Sequence, residues 1–84
     1  MPRFIDVHLD NGAGLTPDDL AAGHARDLAV QAKYGVRFLK YWYDPATGRT
    51  FCLSEAPSKE AVLAVHREAH GETADEIFEV FEGE

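Results

Sequence analysis

Apolar residues recur along this chain in two rhythms, every second residue and every third or fourth. The switches between the rhythms divide it into six elements. Residues 3–9 alternate, with Ile5, Val7 and Leu9 on one side and Phe4, Asp6 and His8 on the other. This predicts a strand with one plainly apolar side and one that carries a carboxylate and an imidazole. Asn11, Gly12, Ala13 and Gly14 break it. A helix then runs from Thr16 to about Lys33 or Tyr34. Thr16 caps it, Pro17 fits its first turn, Asp18 and Asp19 suit the positive end of its dipole, and Gly35 stops it. Leu20, Ala21, His24, Ala25, Leu28 and Ala32 form its predicted inward stripe, with His24 on the core side beside Gln31.

Residues 36–43 predict a second strand, aromatic at Phe38, Tyr41, Trp42 and Tyr43 and apolar on both faces. A turn over 44–48 leads into a returning strand over 49–55. Phe51, Leu53 and Glu55 lie on one of its sides, and Thr50, Cys52 and Ser54 on the other. Ser58 caps a second helix with Ala61, Val62, Val65 and Ala69 inward, His66 and His70 along the border of that stripe, and Gly71 as the stop. Residues 76–81 predict a last strand, apolar on both faces, and Gly83 and Glu84 a loose end. Strand, helix, strand, strand, helix, strand is the order of an α+β ferredoxin-like βαββαβ sandwich, a four-stranded antiparallel sheet with two helices on one face. It is predicted as one domain over residues 1–84.

Such a sheet leaves its second face bare. Phe4, residues of the 36–43 strand, and Phe78 or Phe81 are expected to make that face apolar. Burying ~500 Å² of it would contribute on the order of 10 kcal/mol before association costs. A homodimer meeting through the open sheet face is the expected result. Small size points the same way, since 84 residues bury a limited core.

Charge narrows the partners. The net charge of −7 argues against nucleic acid and anionic membrane surfaces. No apolar run approaches the ~20 residues that span a bilayer. The first residues do not read as a signal peptide. The single cysteine, Cys52, forbids an intrachain disulfide and fits a reducing cytoplasm.

His66 and His70, four residues apart, lie on neighbouring turns of one helix face, a spacing that lets two imidazoles reach one ion. Arg67 after the first histidine departs from the zinc-protease pattern, which needs Glu there. In the predicted topology the first strand and second helix run the same way. Their carboxyl ends, with the start of the last strand, should gather His8, His70, Asp75 and Glu76, with His66 one turn below. His8, His66 and His70 are the predicted metal ligands, with Asp6, His24 and Cys52 as secondary candidates. Should His8 face the open side of the sheet, it and His66 could share an ion only at the rim or across a dimer. His24 otherwise reads as a neutral core imidazole bonded to Gln31 or a tyrosine, and Cys52 as an inert buried thiol. Nickel, copper, zinc and iron all suit imidazole.

No glycine-rich phosphate loop, paired-cysteine motif or basic stripe is present, and no catalytic residue is assigned. The alternative is a dimeric enzyme of monooxygenase or isomerase type with a pocket between helices and sheet, lined by His24, Cys52 and Tyr41 or Tyr43. A plain interaction module using the open sheet is a third reading.

The stretches HARDLAVQAKYGVRFLKYW, FCLSEAP and VHREAHGETADEIFEV resemble a family of small bacterial domains of unknown function. Its best-described member is a nickel-binding protein from Streptomyces. The similarity runs from Phe4 to Val80. It implies a ferredoxin-like fold, a homodimer and Ni²⁺ bound in an octahedral site. The matched segments include His66 and His70, and the start of the chain, with DVH before a glycine-containing turn, includes His8.

Overall fold

The computed structural model describes residues 1–9 and 16–83; the predicted break over 11–14 and Glu84 at the loose end lie outside the described residues. The elements are β1 (Arg3–His8), α1 (Pro17–Val30), a 3₁₀ turn (Gln31–Tyr34), β2 (Arg37–Asp44), β3 (Arg49–Glu55), α2 (Lys59–Ala69) and β4 (Glu76–Val80). The strands pair antiparallel in the order β2-β3-β1-β4. This is the ferredoxin-like sandwich that the element order predicts.

The helix ends follow from their sequences. Thr16 Oγ1 accepts the Asp19 N–H at 3.1 Å, and Asp19 Oδ2 accepts the Thr16 N–H at 2.9 Å, a reciprocal capping box. Thr16→Ala is expected to lower stability by about 1 kcal/mol. In a domain of this size that is a fall of roughly 4–8 °C in the melting midpoint by circular dichroism. Ser58 Oγ accepts the Ala61 N–H at the start of α2. Gly35 and Gly71 both take positive φ, 70° and 80°, where the chain leaves a helix.

The sides of the sheet differ from the sequence reading. Phe4, Asp6 and His8 face the helices and are buried, and Ile5 and Val7 face away. Phe4, expected on the open face, packs instead with Val36, Phe38, Ala56, Val62 and Val65 in the core. The polar side of β1 is the inward one because α2 supplies a partner for its carboxylate: His66 meets Asp6. A charged residue enters a core when its partner enters with it.

The inward stripe of α1 is also turned from the predicted one. Ala21, Ala25, Leu28 and Ala32 are exposed, while Leu20, Gly23, His24, Asp27, Val30 and Gln31 are wholly or partly buried. The alanines gave a false lead, since their burial is worth little. Asp27 is held inside by α2. Gln31 does not meet His24; its Oε1 accepts the Phe38 N–H at 2.9 Å, next to the register shift between Phe38 and Lys40.

The open face carries two apolar rows across the strands. Trp42, Phe51 and Val7 are cross-strand neighbours in one, and Leu53, Ile5 and Phe78 in the other. Trp42 and Phe78 remain 46% and 49% exposed. Among the described residues, no helix is long and apolar enough to cross a membrane.

Candidate metal centre

Three elements bring the site together. β1 presents Asp6 and His8 inward, α1 presents Asp27 from its buried stripe, and α2 presents His66 and His70 from successive turns. Next to Asp6 and His8 across the strand pair lie Cys52 and Thr50 of β3. His66 is central. It donates from Nδ1 to Asp27 Oδ1 at 2.9 Å and from Nε2 to Asp6 Oδ1 at 3.1 Å. Each carboxylate oxygen has a second imidazole: His8 Nε2 lies 3.1 Å from Asp6 Oδ1, and His70 Nε2 lies 3.1 Å from Asp27 Oδ1. The result is a ladder of alternating rings and carboxylates, His8, Asp6, His66, Asp27, His70. The His8 and His66 ring centroids are 5.1 Å apart, and those of His66 and His70 are 5.2 Å apart.

Burial and pairing set the charges. The ladder is almost sealed: His66 is 1% exposed, Asp27 3% and Asp6 fully buried. Burial alone would strip the proton from His66, but hydrogen bonds to Asp27 and Asp6 outweigh it and hold its pKa up to about 12. A ring with a carboxylate at each nitrogen is a double donor, so His66 is an imidazolium. His8 follows the same balance, with burial opposed by Asp6 and Cys52, and its pKa rises to about 9. For Asp27 burial favours the neutral acid, yet His66 and His70 pull its pKa down to about 2. Asp6 is lowered for the same reason by His66 and His8. Two cations thus balance two buried anions at neutral pH. His70 Nδ1 accepts the Glu72 N–H at 3.2 Å, which leaves its own proton on Nε2, toward Asp27.

The sequence-predicted residues fall into three sets. His8, His66 and His70 come together, with His66 in the middle, and His8 lies on the helix side where a shared site needs it. Of the secondary candidates, Asp6 and Cys52 belong to the cluster. His24 stands beside it, its ring tilted 40° to that of Tyr41 with centroids 4.7 Å apart and with Nδ1 buried and without a partner; burial lowers its pKa, with the Asp27 charge opposing and the His66 charge adding to the shift. Asp75 and Glu76 do not join. Asp75 closes the end of the sheet, donating its N–H to Val7 O and accepting the Leu9 N–H on Oδ2. Glu76 sits opposite Val7 on the exposed edge. Sequence reasoning missed Asp27. The available signal was its spacing, three residues beyond His24 and seven beyond Leu20, on the stripe both share.

The cluster has the chemistry of a metal site. Two overlapping groups, Asp6/His8/Cys52/His66 and Asp27/His66/His70, each offer ligand atoms that all lie within 4.8 Å of one another. Contacts of 2.9–3.1 Å between imidazole nitrogen and carboxylate oxygen match neighbouring donors around an ion bound at about 2.1 Å. Asp6 Oδ2 is buried with no hydrogen-bond partner. An orphaned carboxylate oxygen is what a cation would satisfy. A cleft of about 420 Å³ between α1 and the sheet leads to these groups, bordered by His24, Arg26 and Tyr41, with His66 and His70 among its lining.

Comparison with known proteins covers the stretch of chain that carries these residues. The model of a family described as "Nickel responsive protein SCO4226-like" matches residues 4–80. The chain is similar to a crystal structure of SCO4226 from Streptomyces coelicolor A3(2), with 48% identity and a TM-score of 0.90 over 98% of this chain and 99% of that one. No curated protein matches it.

Proposed function

The chain belongs to the SCO4226-like nickel responsive family, and from that premise we propose that it is a small non-catalytic protein that binds Ni²⁺, as a dimer, in the cytoplasm. His8, His66 and His70 hold the metal, with Asp6 and Asp27 as the carboxylates between them. The observation that carries this reading is the pair of overlapping ligand groups centred on His66. Imidazole nitrogen with carboxylate oxygen is a donor set for nickel, and also for copper and zinc. Calorimetry of metal-free protein with Ni²⁺ is the test. His70→Ala removes the ring at the less buried end of the ladder, and is expected to weaken binding at least tenfold. Unchanged affinity in that variant and in His8→Gln would remove these ligands from the assignment.

The dimer rests on the open sheet face. Among the described residues its two apolar rows are not fully covered, and Trp42 and Phe78 stand half out of them. Phe78→Glu places a charge at the β4 edge of that surface without touching the core. It is expected to give a monomer by light scattering at micromolar concentration, with the helical signal unchanged.

A second reading, an enzyme, draws on the cleft and on the partnerless His24 Nδ1 at its border. The helix-end histidines turn into that cleft instead of into solvent, so metal and substrate would share one space. Turnover that His24→Phe abolishes without loss of bound metal would support the enzyme.

A further inference from the structure

We propose that the cleft between α1 and the sheet binds a small aromatic carboxylate, its ring against Gly23, His24 and Tyr41 and its acid group on Arg26. This goes beyond the metal reading and stands without it, since Gly23, Arg26 and Tyr41 are not among the assigned ligands. The cleft is larger than a metal needs. Its volume of about 420 Å³ is room for about fourteen waters at ~30 Å³ each. An octahedral ion with three protein ligands takes at most three more donors. The cleft as a whole lies in the range of small-molecule sites, ~300–1,000 Å³. Gly23 keeps one wall of it open. This glycine sits in the middle of α1 and is not among those at positive φ. A glycine in a helix interior weakens the helix. Packing does not require it here, because an added Cβ would meet nothing within 4 Å. What it provides is bare backbone along the cleft that it lines. From the sheet side β2 brings Tyr41, and His24 meets that ring with centroids 4.7 Å apart. Bare helix backbone on one side and aromatic rings on the other suit a flat group. Nδ1 of His24 is buried, which leaves Nε2 as the nitrogen for a bound molecule.

Charge selects the other end of the ligand. Arg26, one turn beyond Gly23, supplies a guanidinium at the border of the cleft. Arg3, Lys33 and Arg37 have carboxylate partners, and Arg26 has none among the described residues. A guanidinium takes a carboxylate on two parallel N–H donors. Asp19 and Glu72 also border the cleft, so a bare polyanion gains from Arg26 and loses to them. A ring that carries a single carboxylate offsets that loss by burying its apolar faces.

Calorimetry and ligand-observed NMR with 2-naphthoate, on metal-free and on nickel-loaded protein, test this. The expected result is one saturable site per chain. Binding should be weaker by about tenfold or more for 2-naphthamide, which lacks the charge, and for citrate, which lacks the ring. Gly23→Leu fills the open wall and should weaken 2-naphthoate by about tenfold or more. Arg26→Gln should bring 2-naphthoate down to the level of 2-naphthamide. Gly23→Ala is the control: its Cβ enters open space, so binding should persist with an equal or higher melting midpoint. Nickel affinity should be unchanged in all three variants. Absence of a saturable site overturns the proposal. So does a site that Gly23→Leu and Arg26→Gln leave unchanged, and so does citrate bound as tightly as 2-naphthoate. Nickel affinity in the same samples reports on the metal separately: 2-naphthoate held in the cleft of protein that binds no nickel upholds this inference and ends the metal reading.

Discussion

Asp27→Ala is expected to cost the metal-free protein about 3–5 kcal/mol, the range for leaving one member of a buried ion pair without its partner. Asp27 is 3% exposed and accepts from both His66 and His70. Without it, His66 keeps one carboxylate for two N–H groups. The ring must then either hold a charge that only Asp6 offsets or drop a proton and bury a bare acceptor at Nδ1. Both outcomes are unfavourable. In a domain of this size the loss corresponds to a fall of roughly 15–30 °C in melting midpoint. That removes much of a typical margin of about 5–15 kcal/mol. His70→Ala is the internal control. It leaves Asp27 bonded to His66 and removes one hydrogen bond at the less buried end of the ladder, so about 1 kcal/mol is expected. Melts of the two variants in chelator at pH 7 check the contrast. An Asp27→Ala midpoint close to that of His70→Ala would mean that the ladder does not bear on stability.

The fold was legible because its signals are local. Caps, glycine stops and the change of period each sit within a few residues of the boundary they set, and the boundaries fall where Thr16, Gly35, Ser58 and Gly71 place them. The gathering of His8, His66 and His70 was legible too, since it needs only strand and helix directions. What failed depended on which face turns inward. Period two says that Phe4, Asp6 and His8 share a side of β1 but not which side, and counting apolar residues favours Ile5, Val7 and Leu9. The decision belongs to His66, 60 residues away, which makes the Asp6 side the better one to bury. Asp27 escaped for the same reason. An aspartate in mid-helix is usually solvated, and only the imidazoles of another helix make its burial tolerable.

Raising the pH from 6.5 to 9 is expected to loosen the metal-free fold and tighten the grip on Ni²⁺ together. His8 and His66 have raised pKa values, about 9 and about 12. Their contribution is fully present below the unfolded value near 6.5 and is lost progressively as pH rises above it, completely by about 9 for His8 and by about 12 for His66. Asp27, lowered to about 2, contributes fully above its unfolded value near 4 and loses that contribution as pH falls through about 2. Metal-free stability should therefore plateau between about pH 4 and 6.5 and decline on the alkaline side, with His8 and His66 both contributing to the decline up to about pH 9. A ligating nitrogen cannot keep its proton, so Ni²⁺ competes with the same protons. With at least two displaced, one from His8 and one from His66, apparent affinity should rise about a hundredfold or more per pH unit across this window. The stabilisation by a fixed excess of Ni²⁺ then grows by about 2.7 kcal/mol for each unit. Calorimetry at pH 7 in two buffers of different ionisation heat counts the protons directly. A count near zero would place the bound nickel on surface groups away from the ladder. A count of two or more, reduced by one in His8→Gln, would place it among the buried imidazoles, where the metal takes over the pairing that protons provide in its absence.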